Sequence, residues 1–218
     1  MSRAALVRIA LLTLLAVALG GCTGSHRRAT PSQSSTTSGG STSGTGKADP
    51  ETGYAVPLAL WRAFQPPALV RGTCRPATEH PLSPAFGPGL GSGPIYPVGT
   101  DNGVLPVRFP PDPSSDFAGS DYSGQKVLWV GDPRYQGPVL IRGRPVDGSA
   151  NAVRFERGVS PQSAMQFRPG LGTAVSDTEW RNWPSYTRVR ALGCYAWQVD
   201  GTNFSYSIIF RVVKATTP

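Results

Sequence analysis

The chain has 218 residues and a formal net charge of +8, and it contains 22 prolines and 26 glycines. Proline and glycine interrupt helices, so this composition argues against a mainly helical protein. From Glu51 onward there are 16 basic and 12 acidic side chains, and so small an excess of positive charge does not predict a nucleic-acid partner.

Residues 1–21 have the pattern of a secretory signal peptide. Arg3 and Arg8 form a basic start, and the apolar run over 9–19 is shorter than the roughly 20 residues that span a bilayer. The run ends at Leu19-Gly20-Gly21-Cys22, which resembles a bacterial lipobox. We therefore expect Cys22 to be lipidated, so that lipid holds the protein on the extracytoplasmic face of the cell membrane. The alternative is an ordinary signal peptide followed by an incidental cysteine.

The segment after the lipobox is composed mainly of serine, threonine and glycine. Such a sequence buries too little apolar surface to offset the entropy lost on ordering. Residues 22–50 are therefore predicted to be the lipidated cysteine and a disordered tether.

Residues 51–121 contain Trp61 and Phe64, but prolines break every regular pattern. We predict an irregular Pro/Gly-rich segment that wraps the folded body, with a short helix near residues 58–64. Two cysteines remain besides Cys22, and disulfides persist outside the cytoplasm. Cys74 and Cys194 are predicted to pair and to staple this segment, whereas free thiols are the alternative.

Residues 122–214 show short runs of alternating apolar and polar side chains, separated by turn residues. The clearest pattern is a hairpin, in which Asp200-Gly201-Thr202-Asn203 joins two alternating runs. The predicted strands cover 126–130, 138–142, 152–157, 186–191, 195–199 and 204–213. This spacing predicts an all-β fold, an immunoglobulin-like antiparallel β-sandwich, within one domain over 51–214.

Several linked motifs in this region carry a resemblance to a known group of proteins. They are Lys126-Val127-Leu128-Trp129, Gly137-Pro138-Val139-Leu140-Ile141-Arg142-Gly143-Arg144, Trp183-Pro184-Ser185 and Gly193-Cys194-Tyr195-Ala196-Trp197-Gln198-Val199-Asp200-Gly201. Over residues 120–213 the chain resembles an uncharacterised bacterial lipoprotein family of actinobacterial type. The resemblance implies export and a C-terminal immunoglobulin-like β-sandwich, and it implies no activity or functional residues.

The sequence offers few residues for catalysis or metal binding. The only histidines are His26 and His80, which excludes a metal site built on several histidines, and no Gly-x-Ser-x-Gly elbow is present. Three acids, Asp112, Asp116 and Asp121, share a loop but miss the EF-hand spacing. We therefore predict no catalytic residues, metal ligands or cofactor. An extracytoplasmic hydrolase or metal-dependent enzyme using His80 or this loop is the alternative.

One constellation predicts a binding surface that combines arginines with aromatic side chains. Such a surface suits an anionic envelope polymer or an acidic protein partner. Its members are Arg142, Arg144, Arg154, Arg188, Arg190, Trp180, Trp183 and Tyr186. The alternative is that the arginines are solubilising residues on outer strand faces and that the tryptophans plug the end of the sandwich.

Together these features predict a lipid-anchored, non-catalytic binding or structural module of the cell envelope. A small-ligand carrier or sensor subunit is a further alternative, which requires an apolar pocket between the sheets.

Overall fold

The computed structural model describes residues 44–69, 72–147, 152–158, 160–170, 172–174 and 179–216. The predicted signal peptide, Cys22 and the tether up to residue 43 lie outside the described residues. Within the described ranges, no helix has both the length and the apolar character needed to cross a membrane.

The described part of the chain is all-β, as predicted. One 3-10 helix covers Leu58–Leu60, where the sequence predicted a longer helical turn. The strands are β1 (Glu79–His80), β2 (Gly89–Leu90), β3 (Ile95–Val98), β4 (Val104–Val107), β5 (Ser123–Gly131), β6 (Val139–Pro145), β7 (Val153–Glu156), β8 (Ala164–Phe167), β9 (Thr173–Ala174), β10 (Arg181–Val189), β11 (Gly193–Asp200) and β12 (Ser205–Lys214).

Most of these strands form two five-stranded sheets. Sheet I has the order β3-β5-β10-β7, with β9 also beside β10, and sheet II has the order β4-β12-β11-β6-β8. The short β1 and β2 pair separately. Sheet I is antiparallel, whereas sheet II is mixed because β4 pairs in parallel with β12. The prediction of a purely antiparallel fold is therefore wrong at β4, which reaches its partner from about 100 residues earlier in the chain.

One hydrophobic core lies between the two sheets. Alternation along β5 and β11 turns Trp129 and Trp197 inward, where their rings meet edge to face with 5.4 Å between centroids. Trp197 also stacks on Phe210 of β12, at 3.7 Å. The β11–β12 hairpin that the sequence predicted closes through the Gly201 N–H, which donates to the Phe204 carbonyl at 3.0 Å. These large rings fill the space between the sheets.

The segment before β1 crosses the outer face of sheet II. The Gln65 N–H donates to Gln198 Oε1 at 2.7 Å, and Ser207 Oγ donates to the Gln65 carbonyl at 2.8 Å. The predicted disulfide between Cys74 and Cys194 is present and ties the end of this segment to β11. We call residues 61–69 and 72–74 the wrap.

The packed part of the chain begins before Glu51. The Gly46 N–H donates to the Val56 carbonyl at 3.0 Å. Asp49 is buried, and its carboxylate pairs with Arg157 at 3.1 Å. Residues 44–50, which the sequence assigned to the tether, therefore lie against the folded body.

Candidate functional site

β7, the edge strand of sheet I, packs against β6 of sheet II. Gly143 of β6 points inward, and a Cβ added there would lie 2.6 Å from Val153 Cγ1 of β7. The missing side chain therefore allows the two strands to approach closely. Because side chains alternate along a strand, Arg142 and Arg144 project from the outer face of β6, on either side of Gly143.

This approach brings three of the predicted arginines to one groove. We call it the arginine groove. It has a volume of about 270 Å³, and its lining comprises Trp61, Arg142, Gly143, Arg144, Val153, Arg154 and Ser163.

Arg142 is the fixed member of the groove. Its Nη2 donates to Asp200 Oδ2 at 2.7 Å and to the Arg62 carbonyl of the wrap at 2.7 Å, and its side chain is 15% exposed. Asp200 is completely buried and also accepts a hydrogen bond from Ser205 Oγ at 2.6 Å. The Nε of Arg142 is buried without a partner among the described residues. The charge of Arg142 is therefore balanced, although one of its donors is not used.

Arg144 and Arg154 carry charges that are not balanced in the same way. The guanidinium of Arg144 lies 5.1 Å from the Phe64 ring centroid, and Nη1 of Arg154 donates to the Val153 carbonyl at 3.3 Å. Neither forms an ion pair with a carboxylate in the part of the chain that the structure describes. Guanidinium groups bind carboxylate, sulfate and phosphate through paired hydrogen bonds. The groove therefore offers two charged donors to an anion.

The other two predicted arginines lie outside the groove. Arg188 is directly opposite Arg154 in the β10–β7 register, but it is buried, pairs with Glu156 and lies 4.5 Å from the Phe117 ring centroid. Arg190 is exposed, 4.0 Å from an Asp121 oxygen. Glu156 therefore balances the charge of Arg188. Arg154, which faces Arg188, has no carboxylate partner among the described residues.

The predicted aromatic side chains are also dispersed. Trp183 faces inward and stacks on Phe167 at 4.5 Å, where it packs against the edge of the core. Trp180 lies 6.3 Å from Phe86, and Tyr186 meets Phe117 edge to face at 5.5 Å. Trp183 therefore fits the alternative interpretation, in which a tryptophan closes the end of the sandwich. The ring in the arginine groove is instead Trp61. Trp61 was not among the predicted members of the surface, because the wrap has no regular pattern that indicates where its side chains lie.

Neither a protein family, nor a curated protein, nor a solved structure matches this chain. The resemblance to bacterial lipoproteins stays a prediction. The groove is therefore interpreted from its own residues.

The histidine and the acidic loop belong to different segments of the chain. His80 is exposed on β1, whereas Asp112 lies between β4 and β5. Hydrogen bonds from Ser114, together with Arg108, lower the pKa of Asp112. Asp112 pairs with Arg108 at 3.1 Å. Over the described residues, no three metal-binding side chains come together.

Proposed function

We propose that this protein is a membrane-anchored, extracytoplasmic binding protein whose arginine groove holds an anionic polymer of the cell envelope. The observation that carries the proposal is the presence of two guanidinium groups, on Arg144 and Arg154, that share a groove and pair with no carboxylate of the described chain. A bound anion supplies the negative charge that balances these two guanidinium groups.

The electrostatics of β7 and β10 support this proposal. Like charges that face each other across neighbouring strands repel. Arg154 faces Arg188 in this way, and only Arg188 has Glu156 as a partner. An anion at Arg154 relieves the repulsion, so the protein gains stability when the ligand binds.

The chemistry of the lining supports binding. A guanidinium stays protonated at all physiological pH values, so an arginine holds an anion but does not shuttle protons. Ser163 adds a neutral hydroxyl, and Trp61 adds an aromatic ring. These groups suit recognition of a charged, partly hydroxylated polymer better than acid–base chemistry.

The proposed location rests on the signal segment and Cys22. Two or three acyl chains hold a protein firmly on a membrane, whereas one chain holds only marginally. Mass spectrometry of the membrane fraction is expected to find a mature protein that begins at a lipid-modified Cys22. A product that retains an unmodified Met1 overturns this part of the proposal.

We also propose that the two sheets belong to the immunoglobulin-like class of sandwich. The shared core and the contact between Trp129 and Trp197 support this assignment. The disulfide does not join the two sheets as it does in antibody domains, because Cys74 lies in the wrap.

Retention of the full chain on immobilised polyphosphate tests the binding proposal. Reversing both free charges, in R144E/R154E, is expected to weaken binding about a hundredfold or more, because each lost charged hydrogen bond accounts for about tenfold. R211E is the matched control, since Arg211 is exposed on the outer face of β12 and its side chain forms no hydrogen bond, ion pair or ring contact within the described residues. Equal binding by R144E/R154E and R211E overturns the proposal, and selective binding to acidic proteins redirects it to a protein partner.

A further inference from the structure

A polar surface continues from the arginine groove across the outer face of sheet I. Cross-strand partners share a face, so the register fixes its composition. Arg154 lies beside Arg188, and in the next row Glu156, Tyr186 and Lys126 lie side by side on β7, β10 and β5. Asn182, four residues before Tyr186 on β10, lies on the same face.

Two grooves follow this surface along β10. The first, of about 520 Å³, is lined by Tyr186, Lys126, Asp116 and Glu156, and Glu156 is paired with Arg188. The second, of about 380 Å³, is lined by Asn182, Thr173 and Glu51, and Glu51 lies 3.6 Å from Arg157. Arg157 and Pro184 line both, so the two grooves are adjacent. We call them together the β10 trough.

Several hydrogen-bonding groups in the trough have no partner among the described residues. The Tyr186 ring packs on Phe117, but its hydroxyl makes no hydrogen bond to any described residue. The same holds for the Asn182 amide and the Lys126 ammonium group. The Tyr186 hydroxyl and the Asn182 amide donate and accept hydrogen bonds, whereas the Lys126 ammonium group only donates them. They fit hydroxyl-rich units, whereas the arginine groove fits an anion.

The backbone beside the trough argues against an extended peptide as the occupant. On the side of β10 opposite β5, β9 covers Arg181 and Asn182, and β7 covers Tyr186–Val189. A peptide strand that filled the gap between them needs backbone donors there. Pro184 lies in the gap and has no N–H, so strand addition is disfavoured.

We propose that the polymer is an acidic glycan that lies along β10, and this inference rests on the proposed function. One acidic group of the glycan binds Arg144 and Arg154, while neighbouring sugar units contact Tyr186 and extend to Asn182. Tyr186 and Asn182 are four residues apart, so the track along β10 is roughly 13 Å long and holds more than one sugar unit. The tyrosine ring offers an apolar face to a sugar and its hydroxyl offers a hydrogen bond.

Binding of the full chain to three polyanions tests this inference. The probes are polygalacturonate, polyphosphate and polyglutamate, compared by titration calorimetry at one salt concentration. N182A/Y186F removes two hydrogen-bonding groups of the trough, and Y186F keeps the ring that packs on Phe117. Y54F is the control for loss of a tyrosine hydroxyl, because Tyr54 packs beside Leu140 on sheet II and lines neither groove of the trough.

N182A/Y186F is expected to weaken polygalacturonate binding roughly tenfold and to leave polyphosphate binding unchanged, while Y54F changes neither.

If N182A/Y186F binds polygalacturonate like the parent chain while R144E/R154E does not, the glycan inference fails and the proposal for the arginine groove stands. If N182A/Y186F weakens polyglutamate equally, the ligand is an acidic peptide, which also overturns the inference. If R144E/R154E binds every polyanion normally, the proposed function itself fails. The glycan inference is also overturned if polygalacturonate does not bind to the parent chain.

Discussion

Arg142 donates to the buried carboxylate of Asp200 with 2.7 Å between Nη2 and Oδ2. Asp200 has no exposed surface, and Arg62 of the wrap reaches the same carboxylate at 3.4 Å. A single carboxylate therefore links β11 to β6 and to the wrap. It also fixes one wall of the arginine groove.

Asp200→Ala is expected to destabilise the protein by about 3–5 kcal/mol, because it leaves the charge of Arg142 and the amide of Gln198 without their shared acceptor. The free energy of unfolding from urea denaturation measures the effect. Asp112→Ala is the control, since Asp112 pairs with Arg108 at an exposed site and little change is expected there. Equal effects of the two substitutions contradict the assignment of Asp200 as a structural centre.

The disulfide is expected to be a large source of stability. It joins cysteines 120 residues apart, and closing so long a loop restricts the unfolded chain by about 5 kcal/mol before strain is subtracted. Cys74→Ala combined with Cys194→Ala should therefore lower the urea midpoint substantially. Reduction of the parent chain should produce a similar shift and should leave the double variant unchanged. A reductant effect of the same size in both proteins contradicts this prediction.

Tyr206 is expected to make stability depend on alkaline pH. Burial raises the pKa of Tyr206 far above the ordinary tyrosine value of 10. Its hydroxyl donates to the Ile95 carbonyl at 2.6 Å and accepts from the Ile95 N–H at 3.0 Å. Above pH 10 the unfolded chain releases this proton while the folded chain keeps it, so stability is present below pH 10 and falls as the pH rises.

The slope for one such group is about 1.4 kcal/mol per pH unit. Tyr206→Phe removes this contribution, so its unfolding free energy should fall less steeply than that of the parent between pH 10 and 12. At pH 7 the variant should be less stable by about 1–2 kcal/mol, because the Ile95 groups lose their partner. Identical pH slopes for the two proteins contradict the burial of an un-ionised Tyr206.

Gly143 is expected to control how closely β6 and β7 approach. Gly143→Ala places a methyl group against Val153 and should destabilise the protein by about 1–3 kcal/mol through overpacking. Val153→Ala removes the obstructing methyl groups, so a double variant should be more stable than the sum of the single effects implies. Strictly additive effects contradict a direct contact at this edge.

The sequence predicts the central strands well and the edge strands poorly. The alternation around Trp197 and Phe210 identifies β11 and β12, because both strands have one face in the core. Residues 51–121 were predicted to be irregular, and that prediction is wrong for β1 to β4, which lie within them. Of these strands, β3 and β4 contain Pro97 and Pro106. Both lie at sheet edges, where a missing N–H does little harm.

Local sequence patterns predicted only part of the candidate site. The alternation of Arg142 and Arg144 with inward residues shows that they lie on an outer face. The pairing of Arg188 with Glu156 depends on the β7–β10 register, which no local pattern specifies. The position of Trp61 depends on the path of the irregular wrap. The predicted strand began at residue 186, whereas β10 begins at Arg181 and includes Pro184, where it has no second neighbour.

The salt dependence of polyanion binding tests the central claim most directly. Each arginine that binds an anionic group of a polymer releases counterions. The logarithm of the affinity therefore falls as the logarithm of the salt concentration rises, and the slope of this line steepens by roughly one for each contact. R144Q/R154Q removes both charges and keeps hydrogen-bonding side chains, so its slope should be smaller than the parent's by about two, while R211Q keeps the parent slope. Equal slopes for the parent and R144Q/R154Q contradict the claim that these two arginines bind the polymer.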